Sequence, residues 1–215
     1  MSAATAAPLS VDDYERVFRV VHGVLLNERG SPSEACLYFG AFGAAILATH
    51  HNLAALPVVG AAAYRLGTLA SDVLAFAQPT PSSGHASSEN AFHCWVQVNG
   101  WALDFSAPLF DERLARAGMP RAYGRKMLQK PLKGMVEGLG AMHVAGAYWY
   151  ESNPDLGAQL LGRLHAKPAN IDLLEICLDW YRPLPNQLRE FITIGDQHGV
   201  ASRVPLSPLL LEGAW

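Results

Sequence analysis

Three side chains in this 215-residue sequence are of the types that together run acyl-transfer chemistry: the thiol of Cys36, the imidazole of His93 and the carboxylate of Asp104. A thiolate attacks a carbonyl carbon, and an imidazole beside it moves the proton. A carboxylate bonded to the far nitrogen of that imidazole fixes its tautomer and stabilises its charged form. The stretch AFHCWVQVNGWALDFS, residues 91–106, carries two of the three.

That stretch reads as a hairpin. Asn99-Gly100 supplies the positive φ angles of a two-residue type I′ turn between alternating apolar runs. The register then pairs Val98 with Trp101, Val96 with Leu103, Trp95 with Asp104 and His93 with Ser106. Side chains alternate between the faces of a strand. Cys94, Val96, Val98, Trp101, Leu103 and Phe105 form an apolar face. His93, Trp95, Gln97, Ala102, Asp104 and Ser106 form the other. His93 and Asp104 are cross-strand diagonal neighbours, within reach of one another. Trp95, a large aromatic in the middle of this second face, marks a surface that packs or binds, and it is the expected substrate-binding residue.

The thiol must come from elsewhere in the chain. In SPSEACLYFGAFGAAILATHH, Ser31 is placed to cap a helix, Pro32 suits its first position and Glu34 completes Ser-x-x-Glu. The helix is expected to reach about Thr49 and, apolar nearly all round, to be buried. With Ser31 as cap, Cys36 falls in the second turn; with a start nearer Ser33 it falls in the first, where the helix dipole favours a thiolate. Cys36, Gly40 and Gly43 share one helix face, a small-residue stripe that allows close approach of a sheet. Cys94 lies on the apolar face of its strand and Cys177 on an apolar helix, and both read as packing residues.

The remaining chain supplies elements to hold this constellation. Residues 10–28 read as a helix, 56–66 and 71–78 as strands, and 79–90 as a polar loop. A short helix at DERLARAG, a strand in AGAYWYES, a helix opening at Asn153-Pro154 and another capped by Asn170 follow. The tail from about Arg189 is broken by Pro and gives no clear period. The expected fold class is α+β, one domain over 1–215, with a central buried helix on an antiparallel sheet and a mostly helical half from about 109.

Composition narrows the function. Hydrophobic residues make up 50% of the chain and charged residues 16%, with a net charge of −3. The scattered Lys and Arg form no nucleic-acid footprint. The sparse charge allows a homo-oligomer. No apolar run is long enough for a membrane span, and the N-terminal stretch lacks the pattern of a signal peptide. Three cysteines without a CxxC fit a reduced, cytoplasmic setting. His50, His51, His85, His93 and Cys94 offer metal-ligand types, but no spacing matches a zinc pattern, so no metal and no cofactor is expected.

The motif His93-Cys94-Trp95-Val96-Gln97-Val98 followed by Trp101-Ala102-Leu103-Asp104, downstream of Cys36 on a helix, resembles the transglutaminase-like branch of the papain-like cysteine enzyme superfamily. The similarity covers roughly residues 30–108, and the whole chain is reminiscent of a small bacterial family without assigned function. The resemblance implies Cys36 as nucleophile, His93 as general base and acid, and Asp104 as orienting group. It implies a peptide, amide or acyl-donor substrate, with hydrolysis and acyl transfer sharing one acyl-enzyme. The backbone N–H of Cys36 would help to hold the oxyanion. No Gln precedes Cys36 to supply the usual second donor, and Asn27 is the nearest upstream amide. The alternative is a domain that keeps the fold and binds without catalysis.

Overall fold

A computed structural model describes residues 6–28, 30–81, 84–119, 121–195 and 199–215. It is an α+β fold with, among the described residues, five α-helices around a curled antiparallel sheet. The helices are α1 (Val11–Asn27), α2 (Cys36–His51), α3 (Phe110–Arg116), α4 (Pro154–His165) and α5 (Pro168–Trp180). The strands begin with β1 (Leu56–Arg65), β2 (Val73–Phe76), β3 (Gln78–Pro79), β4 (His85–Ala86), β5 (His93–Val98) and β6 (Trp101–Leu103). They continue with β7 (Lys126–Met127), β8 (Gln129–Pro131), β9 (Tyr148–Ser152), β10 (Phe191–Gly195), β11 (Ala201–Pro205) and β12 (Gly213–Ala214).

The main sheet runs β2-β1-β5-β6-β8, with β9 also paired to β1. Strand β1 is its centre, paired to β5 over Leu56–Gly60, to β9 over Gly60–Tyr64 and to β2 over Ala62–Arg65. The β5–β6 hairpin has the register read from the sequence: Val96 opposite Leu103, Gln97 opposite Ala102, Val98 opposite Trp101. Asn99 (φ 51°) and Gly100 (φ 79°) make the turn.

Helix α2 lies on the apolar face of this hairpin, and the small-residue stripe is what lets it. A methyl group added at Gly40 would sit 2.3 Å from the Cys94 sulfur, and one at Gly43 would sit 2.4 Å from the Phe105 ring. Gly40→Ala is therefore expected to cost roughly 1–3 kcal/mol in chemical denaturation, as an overpacked core does. Cys94→Ala in the same chain should recover part of that loss. Full stability in Gly40→Ala alone would mean that the contact is not tight.

Three expectations are corrected. The helix bearing Cys36 does not start at Ser31. Pro32–Glu34 forms a separate 3-10 turn, the Ser31 side chain makes no capping bond, and α2 starts at Cys36 itself. Asn170 does not cap α5, which opens at Pro168. Its amide instead donates to the Leu164 carbonyl and its oxygen accepts from Tyr38. The C-terminal half is not mainly a helical addition: it contributes β8 and β9 to the main sheet, and the tail after Arg189 contains the β10–β11 hairpin.

The second face of the hairpin is the larger surprise. It is an interior rather than a surface. Tyr64 from β1, Phe76 from β2, Tyr150 from β9, and Phe110 and Leu128 cover it, so that His93, Trp95, Ala102, Asp104 and Ser106 are all buried. The sheet thus has a core on both sides, with α1, α2 and α5 on one and an aromatic layer on the other. Among the described residues no helix is long and apolar enough to cross a membrane.

Candidate active site

Asp104 follows directly after β6, and its carboxylate is fully buried. An ionised carboxylate survives burial only if donors surround it, and four do. Oδ2 accepts from His93 Nε2 at 2.6 Å and from the Tyr64 hydroxyl at 2.9 Å. Oδ1 accepts from the Ser106 amide at 3.0 Å and its hydroxyl at 2.7 Å. The backbone carbonyl of Asp104 accepts from the Tyr14 hydroxyl. Burial alone pushes the Asp104 carboxyl up, but His93, Ser106 and Tyr64 together hold it below the usual carboxylate range.

His93 is 1% exposed, the first residue of β5 and opposite Gly60 on β1. A side chain at Gly60 would collide with the Glu151 carbonyl, so β1 and β9 approach closely beside the imidazole. The ring is clamped from one side by Phe76, stacked on it at 4.1 Å. Burial pushes the imidazole pKa down, but the Asp104 charge and hydrogen bond, with a smaller contribution from Cys36, outweigh it and lift the value to about 9. Both shifts favour the charged forms, an imidazolium and a carboxylate.

Cys36 is the first residue of α2 and 7% exposed. The N–H groups of a first helical turn have no partner within the helix, and they favour negative charge at that end. The sulfur belongs to a small cluster with Val59, Cys94, Leu156 and Leu160, and it lies close enough to His93 to favour the charged ring. His93 Nδ1 has no geometric hydrogen-bond partner among the described residues in this conformation. The sulfur is thus near the one ring nitrogen left without a bond, while Asp104 holds the other.

The structure therefore brings Cys36, His93 and Asp104 to one place. It does not bring Trp95 to a pocket wall. Trp95 is 1% exposed, lies 4.7 Å from the Tyr150 ring and fills the core beneath β9, so it is a packing residue and not a surface for substrate. Cys94 and Cys177 are buried, with burial pushing both thiols well above their usual range. His50 contacts the Leu178 carbonyl and His51 the Tyr181 hydroxyl, which ties the end of α2 to the end of α5.

Several residues of the site carry no signal in the sequence. Tyr64, Tyr14, Phe76 and Phe110 come from elements far from the hairpin, and only the sheet order brings them there. Ser106 was on the correct face, but its role as a double donor to Asp104 depends on the turn after β6.

Comparison with known proteins gives a consistent placement without an activity. No curated protein matches the sequence. A solved structure described as "The crystal structure of genomics APC5867" is 33% identical, with 100% of each chain covered and a TM-score of 0.85. Residues 10–215 match the model of a family described as protein of unknown function, DUF2026. The chain, from its first helix to its last residue, belongs to the DUF2026 family.

Proposed function

We propose that this protein is a cysteine-dependent amide hydrolase or acyl transferase of the transglutaminase-like, papain-like type, working through an acyl-enzyme on Cys36. The observation that carries the reading is the ordering of the imidazole. Asp104 binds Nε2 at 2.6 Å, while Nδ1 has no partner at hydrogen-bond geometry among the described residues, and the Cys36 sulfur is close enough to the ring to favour its charged form. A structural histidine in a core has both nitrogens satisfied as a rule. An unbonded nitrogen beside a thiol is what proton transfer from that thiol requires.

In this reading the Cys36 sulfur attacks the substrate carbonyl and the carbonyl π electrons move to oxygen. The amide N–H at the start of α2 helps to hold that oxyanion. When the tetrahedral species collapses, the C–N bond breaks and the His93 imidazolium gives its proton to the departing amine. Water or a second amine then attacks the thioester carbonyl, with His93 taking its proton; the C–S bond breaks and Cys36 leaves as a thiolate beside the re-formed imidazolium. Asp104 keeps the ring oriented and stabilises its charge throughout.

The near-complete burial of His93 and Cys36 favours a second reading, a domain that keeps this fold and binds without catalysis. Rapid mixing with 4-nitrophenyl acetate separates the two. The enzyme reading expects a burst of nitrophenol approaching one equivalent, with an acetyl group found on Cys36 by mass spectrometry, and no burst in Cys36→Ser. Acetylation without dependence on Cys36, or none at all, favours the binding domain.

A further inference from the structure

We propose that Arg113 is a carboxylate-recognition residue at the rim of this site, selecting acyl substrates that carry an anionic group close to the reacting carbonyl. The proposal rests on the acyl-transfer reading and adds a substrate class to it.

Arg113 lies on α3, whose first residue, Phe110, is part of the aromatic layer over the hairpin. Its guanidinium sits 4.7 Å from the centre of the Phe76 ring, and that ring in turn is stacked on His93. One guanidinium nitrogen reaches the Ser33 carbonyl at 3.4 Å, in the turn that leads into Cys36. The side chain therefore touches both the cover of the imidazole and the approach to the thiol.

Its hydrogen-bonding capacity is nearly unused. A guanidinium has five N–H donors, and Arg113 makes only that one long bond among the described residues. The neighbouring acids are committed elsewhere. Glu112 pairs with Arg125, Glu34 is 3.9 Å from Arg116, and Asp111 accepts from the amides of Tyr123 and Gly124. A half-buried guanidinium with no carboxylate partner among the described residues, lying over an aromatic ring, is pre-organised to take a planar anion in two parallel bonds. A purely structural clamp on Phe76 would not need to leave those donors open.

Two alkylating agents of nearly equal size provide the test. Iodoacetamide is neutral and iodoacetate carries the carboxylate. With either, the Cys36 sulfur bonds to the methylene carbon, the C–I bond breaks and iodide leaves. Rates are taken for the wild type, Arg113→Gln and Arg113→Lys, and each is read as the ratio of iodoacetate to iodoacetamide. Any attraction of the anion by His93 is common to all three chains and cancels in the comparison. The expected result is a ratio at least fivefold lower in Arg113→Gln, with Arg113→Lys in between because it keeps the charge and loses the planar fork. An unchanged ratio in Arg113→Gln overturns the proposal. So does an equal fall in both rates, which would mean that Arg113 acts only by seating Phe76 on His93. The underlying reading has its own control: wild-type iodoacetamide labelling that is indifferent to His93→Ala rejects an activated thiol, whatever the ratio shows.

Discussion

Labelling of Cys36 by iodoacetamide at pH 6 is expected to be roughly 10²-fold slower in His93→Ala than in the wild type, since a neighbouring imidazolium in a partly desolvated site stabilises a thiolate by several kcal/mol. The wild-type protein needs no other substitutions for this measurement, because Cys94 and Cys177 are buried and their thiols are pushed well above the ordinary range. The same variant should lower acylation by an amide donor by roughly 10²–10⁴-fold, the usual worth of a positioned acid and base. Equal labelling of the two chains would remove His93 from the chemistry.

The charge on His93 can be followed directly. Burial pushes its pKa down, and the Asp104 charge and hydrogen bond push it up by more, to about 9. An NMR titration of the imidazole should place its midpoint near that value in the wild type. In Asp104→Asn, which keeps the shape and loses the charge, burial is left largely unopposed and the midpoint should fall below that of an ordinary histidine, ~6.5. A wild-type midpoint at or below ~6.5 would mean that the ring rests neutral at pH 7.

The parts of this site that were legible in the sequence are those fixed by local chemistry. Asn99-Gly100 sets the hairpin register, and the register puts His93 and Asp104 on one face. The stripe Cys36, Gly40, Gly43 announces a close helix–sheet contact, which Cys94 and Phe105 make. What escaped was non-local or ambiguous. Ser31, Pro32 and Glu34 have the pattern of a helix start, but the chain spends them on a 3-10 turn, and the true start moves to Cys36. Trp95 on a polar-looking face suggested a pocket because the sequence around the hairpin cannot show what covers it. The cover comes from β1, β2 and β9, up to some fifty residues away, and its pieces are ordinary aromatics in ordinary strands. Of the C-terminal strands in the main sheet, β9 was legible in AGAYWYES, whereas β8 was obscured by its shortness and by Pro131, which stands at its end.

Loss of the Asp104 carboxylate should reverse the direction in which stability changes with pH. In the wild type, His93 has a folded pKa near 9 against ~6.5 unfolded. Its contribution is fully present below ~6.5 and is lost as pH rises toward 9. Asp104 stays ionised across that range, since its folded value lies below the ordinary one and its contribution disappears only in acid. The wild type should therefore lose stability as pH is raised from 6.5 to 8.5. The buried thiols and phenols stay neutral in the fold, so they add a further loss, present in both chains, as the unfolded groups ionise: near ~8.5 for Cys94 and Cys177 and near ~10 for Tyr14, Tyr64 and Tyr150. In Asp104→Ala the imidazole is buried without its partner, and the penalty of removing one member of a buried ion pair is roughly 3–5 kcal/mol. The ring can escape part of it by giving up its proton, so its folded pKa drops below the unfolded one and stability now rises with pH until His93 is neutral in both states. Below ~6.5 both chains share a further acid-side loss from His22, which burial, and secondarily the Arg125 charge, lower to about 4 and which must stay neutral in the fold. Urea unfolding of the two chains at intervals from pH 5.5 to 8.5 measures both slopes. Slopes of the same sign between 6.5 and 8.5 would show that the His93–Asp104 pair does not carry opposite charges in the folded protein.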